Sequence, residues 1–307
     1  MHLMIPFAGV LSEAGRHACE SLALPQLERL LARMTATDRV GGSELTLSPP
    51  HELALARAYG WSAEDGRLPW AAHWAAIDGV PVATDAWALL TPVHLHVGTE
   101  QVSLADPAAL ALDAGESREL FEIVRGLFET EGLPMHWGAP LRWYASHASF
   151  AALPTAALDR VIGRNIDAWL PDAPQARLLR RLQSEVQMLL YTHEVNARRE
   201  AAGRLVVNSF WLSGCGVAMP QRGGPDPVVD DRLRTPALSE DWAAWAEAWQ
   251  ALDAGPIAAL LAAPEDATLT LSGERMAQSF QRAAPSWRQR VRGAFGRAPA
   301  HAVLEGL

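Results

Sequence analysis

Two histidines that stand two positions apart are the first candidates for chemistry. His94 and His96 lie in a segment whose alternating apolar residues predict a β-hairpin around Gly98-Thr99. Both rings would therefore face one side of a strand, where they could share a metal ion. No aspartate, glutamate or cysteine stands beside them to complete a ligand set. A packed or solvent-facing pair is therefore the simpler interpretation.

A serine and a cysteine are the candidate nucleophiles, because both follow an apolar run, residues 205–212, that predicts a buried strand. Ser213 and Cys215 would then reach the crevice that forms outside the carboxyl ends of parallel strands. The segment lacks the G-x-S-x-G pattern of a hydrolase elbow, and no base is visible near either residue. The alternative interpretation is a glycine turn, with Gly214 and Gly216, beside a structural thiol.

Several classes of function are excluded by residues that the chain lacks. All 26 basic residues are arginines, so Schiff-base enzymes, pyridoxal phosphate enzymes and Walker-type phosphate loops are excluded, since each needs a lysine. His51-Glu52 and His193-Glu194 have no second histidine at the H-E-x-x-H spacing, which excludes a zinc protease. The net charge of −9 argues against a nucleic-acid binder, because phosphate contacts need a basic face.

A basic segment near the end of the sequence is the local exception to this charge. It contains five arginines and no acidic residue: Arg282, Arg288, Arg290, Arg292 and Arg297. Trp287, Val291 and Phe295 recur every four residues, which is typical of an amphipathic helix. Such a helix would bind an acidic partner or a membrane surface, or it would dock on the protein itself by its apolar stripe.

Length and composition favour a folded protein of the cell interior. The 307 residues are 49% hydrophobic, enough to bury a full core in one large or two modest domains. No apolar run approaches the roughly 20 residues of a membrane helix, and the first residues lack the basic region of a secretory signal. Cys19 and Cys215 are too few for a disulfide framework. We therefore expect a cytoplasmic protein without a membrane span.

The order of the predicted elements indicates an α/β fold. Short strands and helices alternate in the first third of the chain, and this favours a mostly parallel sheet flanked by helices. The hairpin, a helix over 115–132 and two strands over 133–147 would form an α+β unit inserted into that fold. We therefore expect a discontinuous core, residues 1–84 and 190–307, and an inserted domain, residues 85–189.

A strand and a helix of the second half complete the predicted core. A helix that ends at Gly203 would lead into the strand 205–212, which would re-enter the main sheet. Trp242, Trp245 and Trp249 are spaced three and four residues apart. This spacing is typical of the buried face of a helix rather than of a stacking platform.

The segment from 193 to 216 is specific enough to suggest a family. Its pattern, H-x-V-N-x-x-R-x-x-x-G-x-x-x-x-N-x-x-x-L-x-G-x-G, resembles the segment after the inserted domain in archaeal-type, cofactor-independent phosphoglycerate mutases. The residues of the pattern are His193, Val195, Asn196, Arg199, Gly203, Asn208, Leu212, Gly214 and Gly216. Those mutases belong to the alkaline phosphatase superfamily, with a mostly parallel α/β core, two metal ions and a serine nucleophile.

The resemblance implies a set of ligand-binding candidates and extends along the chain. The candidates are His193, Asn196, Arg199, Asn208, Gly214, Gly216 and Arg275. Stretches such as "ESRELF", "VNSFWLSG" and "LTLSGER" resemble still more the bacterial RpfE-type regulatory proteins, across nearly all of the sequence. That family takes its name from a cluster that regulates pathogenicity factors.

Departures from the mutase pattern bear directly on the chemistry. The mutases begin with an Asp-Gly metal motif where this chain has "MIPFAG", and their D-x-x-G-H motif is absent from residues 217–307. His51 stands where the mutases have their serine, with Ser48 nearby, and Ser213 stands where they have an arginine. The resemblance therefore implies that two metal ions cannot be held in the family manner.

From these departures we expect a catalytically degenerate relative of the mutases, without a metal cofactor, that binds a small phosphorylated or acidic ligand in a regulatory role. Ser48, His51 and Ser213 are the catalytic candidates if a reaction remains. In that alternative the crevice would keep phosphate-ester chemistry, with Arg199 and Arg275 on the phosphate. A third alternative is a partner-binding protein that acts through the basic segment.

Overall fold

The computed structural model of the chain describes residues 1–99, 101–171, 176–263, 267–282 and 299–307. Of the basic segment, Arg282 lies within these residues, whereas its other arginines and its apolar stripe lie outside them. None of the described helices is long and apolar enough to cross a bilayer.

The chain divides into two compact units. The first unit consists of Met1–Glu44, Pro49–Gly60 and Gln221–Leu307, and the second of Leu45–Ser48 and Trp61–Pro220. The sequence likewise predicts a discontinuous unit interrupted by an insertion. The expected insertion, residues 85–189, lies inside the second unit, which begins earlier and ends later.

The strands are β1 (His2–Ile5), β2 (Met34–Gly41), β3 (Ala86–Val93), β4 (Leu95–Val97), β5 (Val102–Leu104), β6 (Met135–Ala139), β7 (Arg142–Ser146), β8 (Ser209–Val217), β9 (Val228–Val229), β10 (Thr268–Ser272) and β11 (Met276–Arg282). The helices are α1 (Glu13–Glu20), α2 (Pro25–Leu31), α3 (Pro50–Ala58), α4 (Trp70–Ile77), α5 (Ala114–Thr130), α6 (Leu158–Val161), α7 (Ala176–Tyr191), α8 (Glu194–Ala201), α9 (Arg234–Leu238), α10 (Trp242–Leu252), α11 (Ala258–Ala262) and α12 (Ala300–Leu304).

The sheet of the first unit has the strand order β2-β11-β10-β1-β9. Strand β1 pairs in parallel with both β9 and β10, whereas β11 and β2 continue the sheet in antiparallel pairing. Leu3 and Ile5 of β1 pack with α2 and α10 on one face, and Met4 packs with α3 on the other. Because both faces are covered there, the three residues of β1 that follow His2 are all apolar. The predicted α/β class is confirmed, and the sheet is mixed.

Helix α10 carries the tryptophans whose spacing predicts a core face. Asp241 caps its start, where the carboxylate accepts a hydrogen bond from the N–H of Ala244 over 3.0 Å. Trp245 and Trp249 are completely buried, and Trp242 packs against the same core. The rings of Trp242 and Trp245 meet edge to face with centroids 6.2 Å apart, and those of Trp245 and Trp249 do so with centroids 6.1 Å apart. The predicted core face is confirmed.

The sheet of the second unit has the strand order β6-β7-β3-β8, and its pairs are antiparallel. Helices α5 and α7 cover one face with side chains such as Leu120, Val124 and Leu182. Helix α4 covers the other face with Ala71 and Ala75. Strands β4 and β5 form the predicted hairpin, and α5, β6 and β7 stand where the sequence predicts a helix and two strands.

The prediction for residues 205–212 is wrong in the bounds of the strand and in its partner. The observed strand, β8, covers Ser209–Val217 and runs antiparallel beside β3, so it belongs to the second unit and not to the main parallel sheet. Both faces of its sheet are covered by helices. A strand that is covered on both faces is mostly apolar in an antiparallel sheet as well as in a parallel one, and hydropathy does not distinguish the two.

Candidate functional site

The asparagine of the mutase-like motif ties α8 to the chain that leads into β8, and the histidine caps that helix. Asn196 is buried, and its amide donates hydrogen bonds to the carbonyl oxygens of Leu190 and Val207 over 2.9 and 2.8 Å. Its side-chain oxygen accepts a third from the N–H of Val207 over 3.0 Å. His193 caps the helix, since its Nδ1 accepts a hydrogen bond from the N–H of Val195 over 3.3 Å. The amide of Asn196 is therefore fully engaged within the unit.

The motif arginine, Arg199, is completely buried. Its guanidinium donates hydrogen bonds to the carbonyl oxygens of Leu205 and Leu110 and forms an ion pair with Glu116 at 2.8 Å. Burial lowers the pKa of Arg199, and the negative charge of Glu116 opposes that effect. Arg204 binds the second carboxylate oxygen of Glu116. These contacts give Arg199 a structural role and leave none of its surface open to a phosphate.

The remaining motif residues also make structural contacts. Asn208 pairs with the main chain of Leu95, accepting a hydrogen bond from its N–H over 2.8 Å and donating one to its carbonyl over 2.9 Å. Gly214 has a φ of +63°, and a Cβ placed on it would lie 2.9 Å from the amide nitrogen of Ala71 in α4. A Cβ on Gly216 would also meet the chain that leads into α4. The glycines let β8 approach α4 closely.

The candidate nucleophiles of the second unit are all buried. The hydroxyl of Ser48 accepts a hydrogen bond from the N–H of Gly66 over 2.9 Å. Ser213 lies within β8, opposite Leu89 of β3. Cys215 is a free thiol, and burial raises its pKa to about 12, so it is protonated at neutral pH. A cavity beside β8 has a volume of about 20 Å³, which holds little more than a water molecule.

The carboxyl ends of β9, β1 and β10 lie side by side in the first unit, at the edge where α/β proteins commonly bind ligands. Strand β1 is followed there by Pro6 and Phe7. Phe7 has a φ of +57°, a conformation that few residues other than glycine adopt, and its carbonyl accepts a hydrogen bond from the Trp245 indole. The Phe7 ring lies 5.3 Å from the ring of His51. His51 thus reaches this edge, where it meets an aromatic ring.

Residues near the end of the described chain fill the same edge. A Cβ on Gly9 would collide with the carbonyl oxygen of Leu304, and one on Gly273 would lie 2.8 Å from the Cβ of Leu307. The carbonyl of Leu307 accepts a hydrogen bond from the N–H of Arg275 over 3.0 Å. Leu304 and Leu307 are both buried. At the carboxyl ends of β1 and β10, the position of the ligand crevice in other α/β proteins is therefore occupied by aliphatic side chains of the protein itself.

The acidic side chains at this edge already have partners. Asp230, which follows β9, binds Arg232 through both carboxylate oxygens, each over 2.8 Å. Glu274, which follows β10, accepts a hydrogen bond from the N–H of Leu11 over 3.1 Å. Over the described ranges, no three side chains of His, Cys, Asp or Glu are grouped so that they could hold a metal ion. The residues here therefore do not fit the two-metal site that the mutase resemblance implies.

The other sequence-predicted site residues are distributed over both units. His51 and Arg275 belong to the first unit, and Ser48, Asn208 and Ser213 belong to the second. The Arg275 guanidinium forms an exposed ion pair with Glu44, with Nε 2.8 Å from a carboxylate oxygen.

The histidine pair of the hairpin packs against itself. The rings of His94 and His96 are 4.5 Å apart, and Nδ1 of His94 lies 2.9 Å from the carbonyl oxygen of Val206. One nitrogen of the pair is thus engaged by the main chain, and no third ligating side chain joins the pair among the residues that the structure describes.

A polar cavity of about 430 Å³ opens at the opposite edge of the first unit's sheet, beside the first residues of β1 and β10. Its volume lies in the range of sites that bind small molecules. The end of α3 contributes Arg57 and Tyr59, and the loop that begins at Arg222 and contains Asp226 forms another wall. This cavity is therefore a candidate ligand site of the first unit.

The floor of this cavity belongs to a hydrogen-bonded row of polar side chains across three strands, in which His2 and Ser279 line the cavity and Thr270 does not. Nε2 of His2 in β1 lies 2.8 Å from Oγ1 of Thr270 in β10, which lies 2.8 Å from Oγ of Ser279 in β11. Thr270 is completely buried. Burial lowers the pKa of His2, and the positive chain terminus adds to this, so the imidazole is neutral at pH 7.

The sequence contains no motif that marks this cavity. The segment "RGGPDP", residues 222–227, has the composition of a connecting loop, and its only signal is a pair of opposite charges that flank Gly and Pro. The floor residues belong to strands that are far apart in sequence, so their proximity depends on the strand pairing.

Comparison with known proteins adds distant similarities. No protein-family model matches the chain, and no curated protein matches it. The chain is similar to the cofactor-independent phosphoglycerate mutase from Thermoplasma acidophilum DSM 1728, with 13% identity, a TM-score of 0.37 and coverage of 100% of this chain and 99% of that chain. It is also similar to the PH0037 protein from Pyrococcus horikoshii, with 11% identity, a TM-score of 0.49 and coverage of 98% and 94%. At these levels of similarity, function has to be argued from the residues of this chain.

Proposed function

We propose that this chain is a ligand-binding protein with a regulatory role, a relative of the phosphomutases that does not carry out their metal-dependent reaction. The observation that carries the proposal is the occupation of the carboxyl edge of β1 and β10 by Phe7, Leu304 and Leu307. Phosphoryl transfer of the mutase type needs two metal ions, a hydroxyl nucleophile and cationic groups at one place. Phenyl and isobutyl side chains supply none of these.

The candidate nucleophiles support the same proposal. The hydroxyl of Ser48 serves a buried turn as a hydrogen-bond acceptor, and burial keeps the Cys215 thiol protonated. A nucleophile needs an adjacent base or a lowered pKa, and the pKa of Cys215 is raised.

The alternative of a phosphate-ester enzyme needs Arg199 and Arg275 on one phosphate. Arg199 is completely buried and bound to Glu116, and Arg275 is paired with Glu44. No contact of the described residues favours this alternative. The partner-binding alternative depends on the basic segment, most of which lies outside the described residues.

Metal content and turnover test the proposal. The full chain, dialysed separately against Mn²⁺, Mg²⁺ and Zn²⁺, is analysed for bound metal and assayed with p-nitrophenyl phosphate and with 3-phosphoglycerate. We expect no stoichiometric metal and no turnover above that of His51→Ala, because the carboxylates of Asp230 and Glu274 at this edge already have partners within the protein. An active mutase assayed in parallel shows that the conditions support the reaction.

One outcome would overturn the proposal: metal-stimulated turnover by the chain that His51→Ala or Asp230→Asn abolishes while the variant keeps its melting temperature. Equal background rates for the wild type and both variants would support it.

A further inference from the structure

We propose that the polar cavity of the first unit binds a small zwitterionic metabolite, an α-amino acid or a close analogue, with its carboxylate on Arg222 and its ammonium group on Asp226. This inference rests on the proposed binding role and adds to it a site and a chemical class of ligand. The site lies at the amino ends of β1 and β10, at the opposite edge of the sheet from the filled crevice position.

The charges that line the cavity carry the choice of ligand. Arg57 and Asp38 neutralise each other, with Nη1 2.6 Å from Oδ1. Arg222 and Asp226 line the same cavity, and neither side chain forms an ion pair or hydrogen bond with any residue that the structure describes. A ligand with one positive and one negative group complements both charges. A purely anionic ligand would leave the Asp226 carboxylate beside a like charge.

Arg222 is held in place by the backbone at the end of α3. Its N–H donates a hydrogen bond to the carbonyl of Tyr59 over 2.9 Å. Gly60 has a φ of +78°, and a Cβ placed on it would lie 2.5 Å from Cγ of Arg222. The aliphatic stem of Arg222 therefore lies directly on the chain at a position that favours glycine. A stem that is already positioned loses less conformational entropy when the guanidinium binds a carboxylate.

Asp226 and the aromatic residue Tyr59 line the same cavity. Burial raises the pKa of Tyr59, and the negative charge of Asp226 raises it further. The phenol is therefore neutral at pH 7. The cavity thus offers an ammonium group a carboxylate and an aromatic residue in its walls, two groups that proteins commonly use to bind organic cations.

The floor of the cavity determines which zwitterions fit. His2, Ser279 and Gln281 present neutral donors and acceptors from three adjacent strands. An apolar side chain of a ligand would displace water from these groups without replacing its hydrogen bonds. We therefore expect amino acids with polar side chains to bind more tightly than apolar amino acids of equal size.

Binding is measured on the full chain with the standard α-amino acids as probes, by thermal shift and then by isothermal titration. We expect at least one polar amino acid to raise the melting temperature in a saturable manner, because a ligand that binds only the native state stabilises it. Its N-acetyl derivative, which lacks the ammonium group, and its amide, which lacks the carboxylate, should each bind at least about tenfold more weakly.

Two pairs of variants locate the site. Arg222→Gln and Asp226→Asn should each weaken binding of that amino acid by about tenfold or more. The matched controls, Arg29→Gln and Asp231→Asn, change exposed residues of the same unit outside the cavity and should leave the affinity unchanged. The melting temperatures of the unliganded variants show that each one folds.

The inference is overturned if no α-amino acid binds, if blocking both charged groups leaves the affinity unchanged, or if the control variants lose as much affinity as the cavity variants. Its failure is distinct from that of the proposed function. A chain that turns over phosphate esters but binds an amino acid would contradict only the proposed function, whereas an inactive chain that binds no amino acid would contradict only this inference.

Discussion

The carboxylate of Asp78 accepts two hydrogen bonds from the guanidinium of Arg142, over 2.8 and 2.6 Å. Tyr144 donates a third hydrogen bond to it over 2.6 Å. Asp78 ends α4 and Arg142 begins β7, so the contact joins a helix to the sheet of the second unit. The Asp78 side chain is only 7% exposed. The hydrogen bonds from Arg142 lower the pKa of Asp78, and the hydrogen bond from Tyr144 lowers it further. Burial acts in the opposite direction, but the pKa remains below its ordinary value.

The lowered pKa predicts how this contact depends on pH. A carboxylate with a lower pKa in the folded state stabilises the protein above the pKa of the unfolded chain, about 3.9, and the contribution is lost as the pH falls through the folded pKa. At pH 7, Asp78→Asn should lower the free energy of unfolding by about 2 kcal/mol. The difference between wild type and variant should shrink below about pH 4. Urea unfolding between pH 7 and pH 3 measures it.

An exposed ion pair of the first unit supplies the control. Arg57 and Asp38 are each half exposed, so Asp38→Asn should change the free energy of unfolding by less than about 1 kcal/mol. A difference between Asp78→Asn and wild type that stays constant from pH 7 to pH 3 would show that the lowered pKa of Asp78 is not the source of the stabilisation.

Two glycine substitutions should have opposite effects on stability. Gly214→Ala forces a Cβ into the left-handed region at a φ of +63° and to within 2.9 Å of a backbone nitrogen of α4, and it should cost about 2–4 kcal/mol. Gly126→Ala lies within α5 with nothing within 4 Å of the added Cβ. It should stabilise by about 0.5–1 kcal/mol, since alanine favours the helix. Urea unfolding measures the change in stability for each variant. Stabilisation by both substitutions would refute the close approach of β8 to α4.

The buried thiols should be inert in the native protein. Burial raises the pKa of Cys19 to about 11 and that of Cys215 to about 12, and both side chains are inaccessible. A thiol reagent added at pH 7.5 should therefore modify neither of the 2 cysteines of the folded chain and both in denaturant. Rapid modification of one thiol per native chain, removed by Cys215→Ser, would restore Cys215 as a candidate nucleophile.

The helices and strands that local sequence signals specify are observed where the sequence predicts them. The predicted helix 115–132 is observed at Ala114–Thr130, where Asp113 caps its start by accepting a hydrogen bond from the N–H of Glu116 over 2.8 Å. The hairpin around Gly98-Thr99 is observed as β4 and β5. Apolar periodicity, capping side chains and turn residues all act within a few positions of one another, so the sequence displays them directly.

The candidate site was harder to predict, because chemistry-bearing residues can also have structural roles. Asn196 and Arg199 match a ligand-binding pattern by type and spacing, yet the carbonyl of Val207 and the carboxylate of Glu116 engage them in the fold. The spacing of an arginine in sequence does not show whether its partner is a phosphate or a glutamate 83 positions away. Likewise, Arg222 and Asp226 have no neighbouring motif that would mark them.

Local sequence was therefore sufficient for the α/β class and the tryptophan face of α10, because both depend on residue type and short-range periodicity. Tertiary structure alone determined that β8 pairs with β3, that Leu307 packs on the carboxyl edge of β10, and that His2 meets Thr270 at the floor of a cavity. Those relations join residues separated by up to 268 positions. Such contacts form only when the whole chain has folded, since no local pattern records which distant partner a buried strand or an arginine will find.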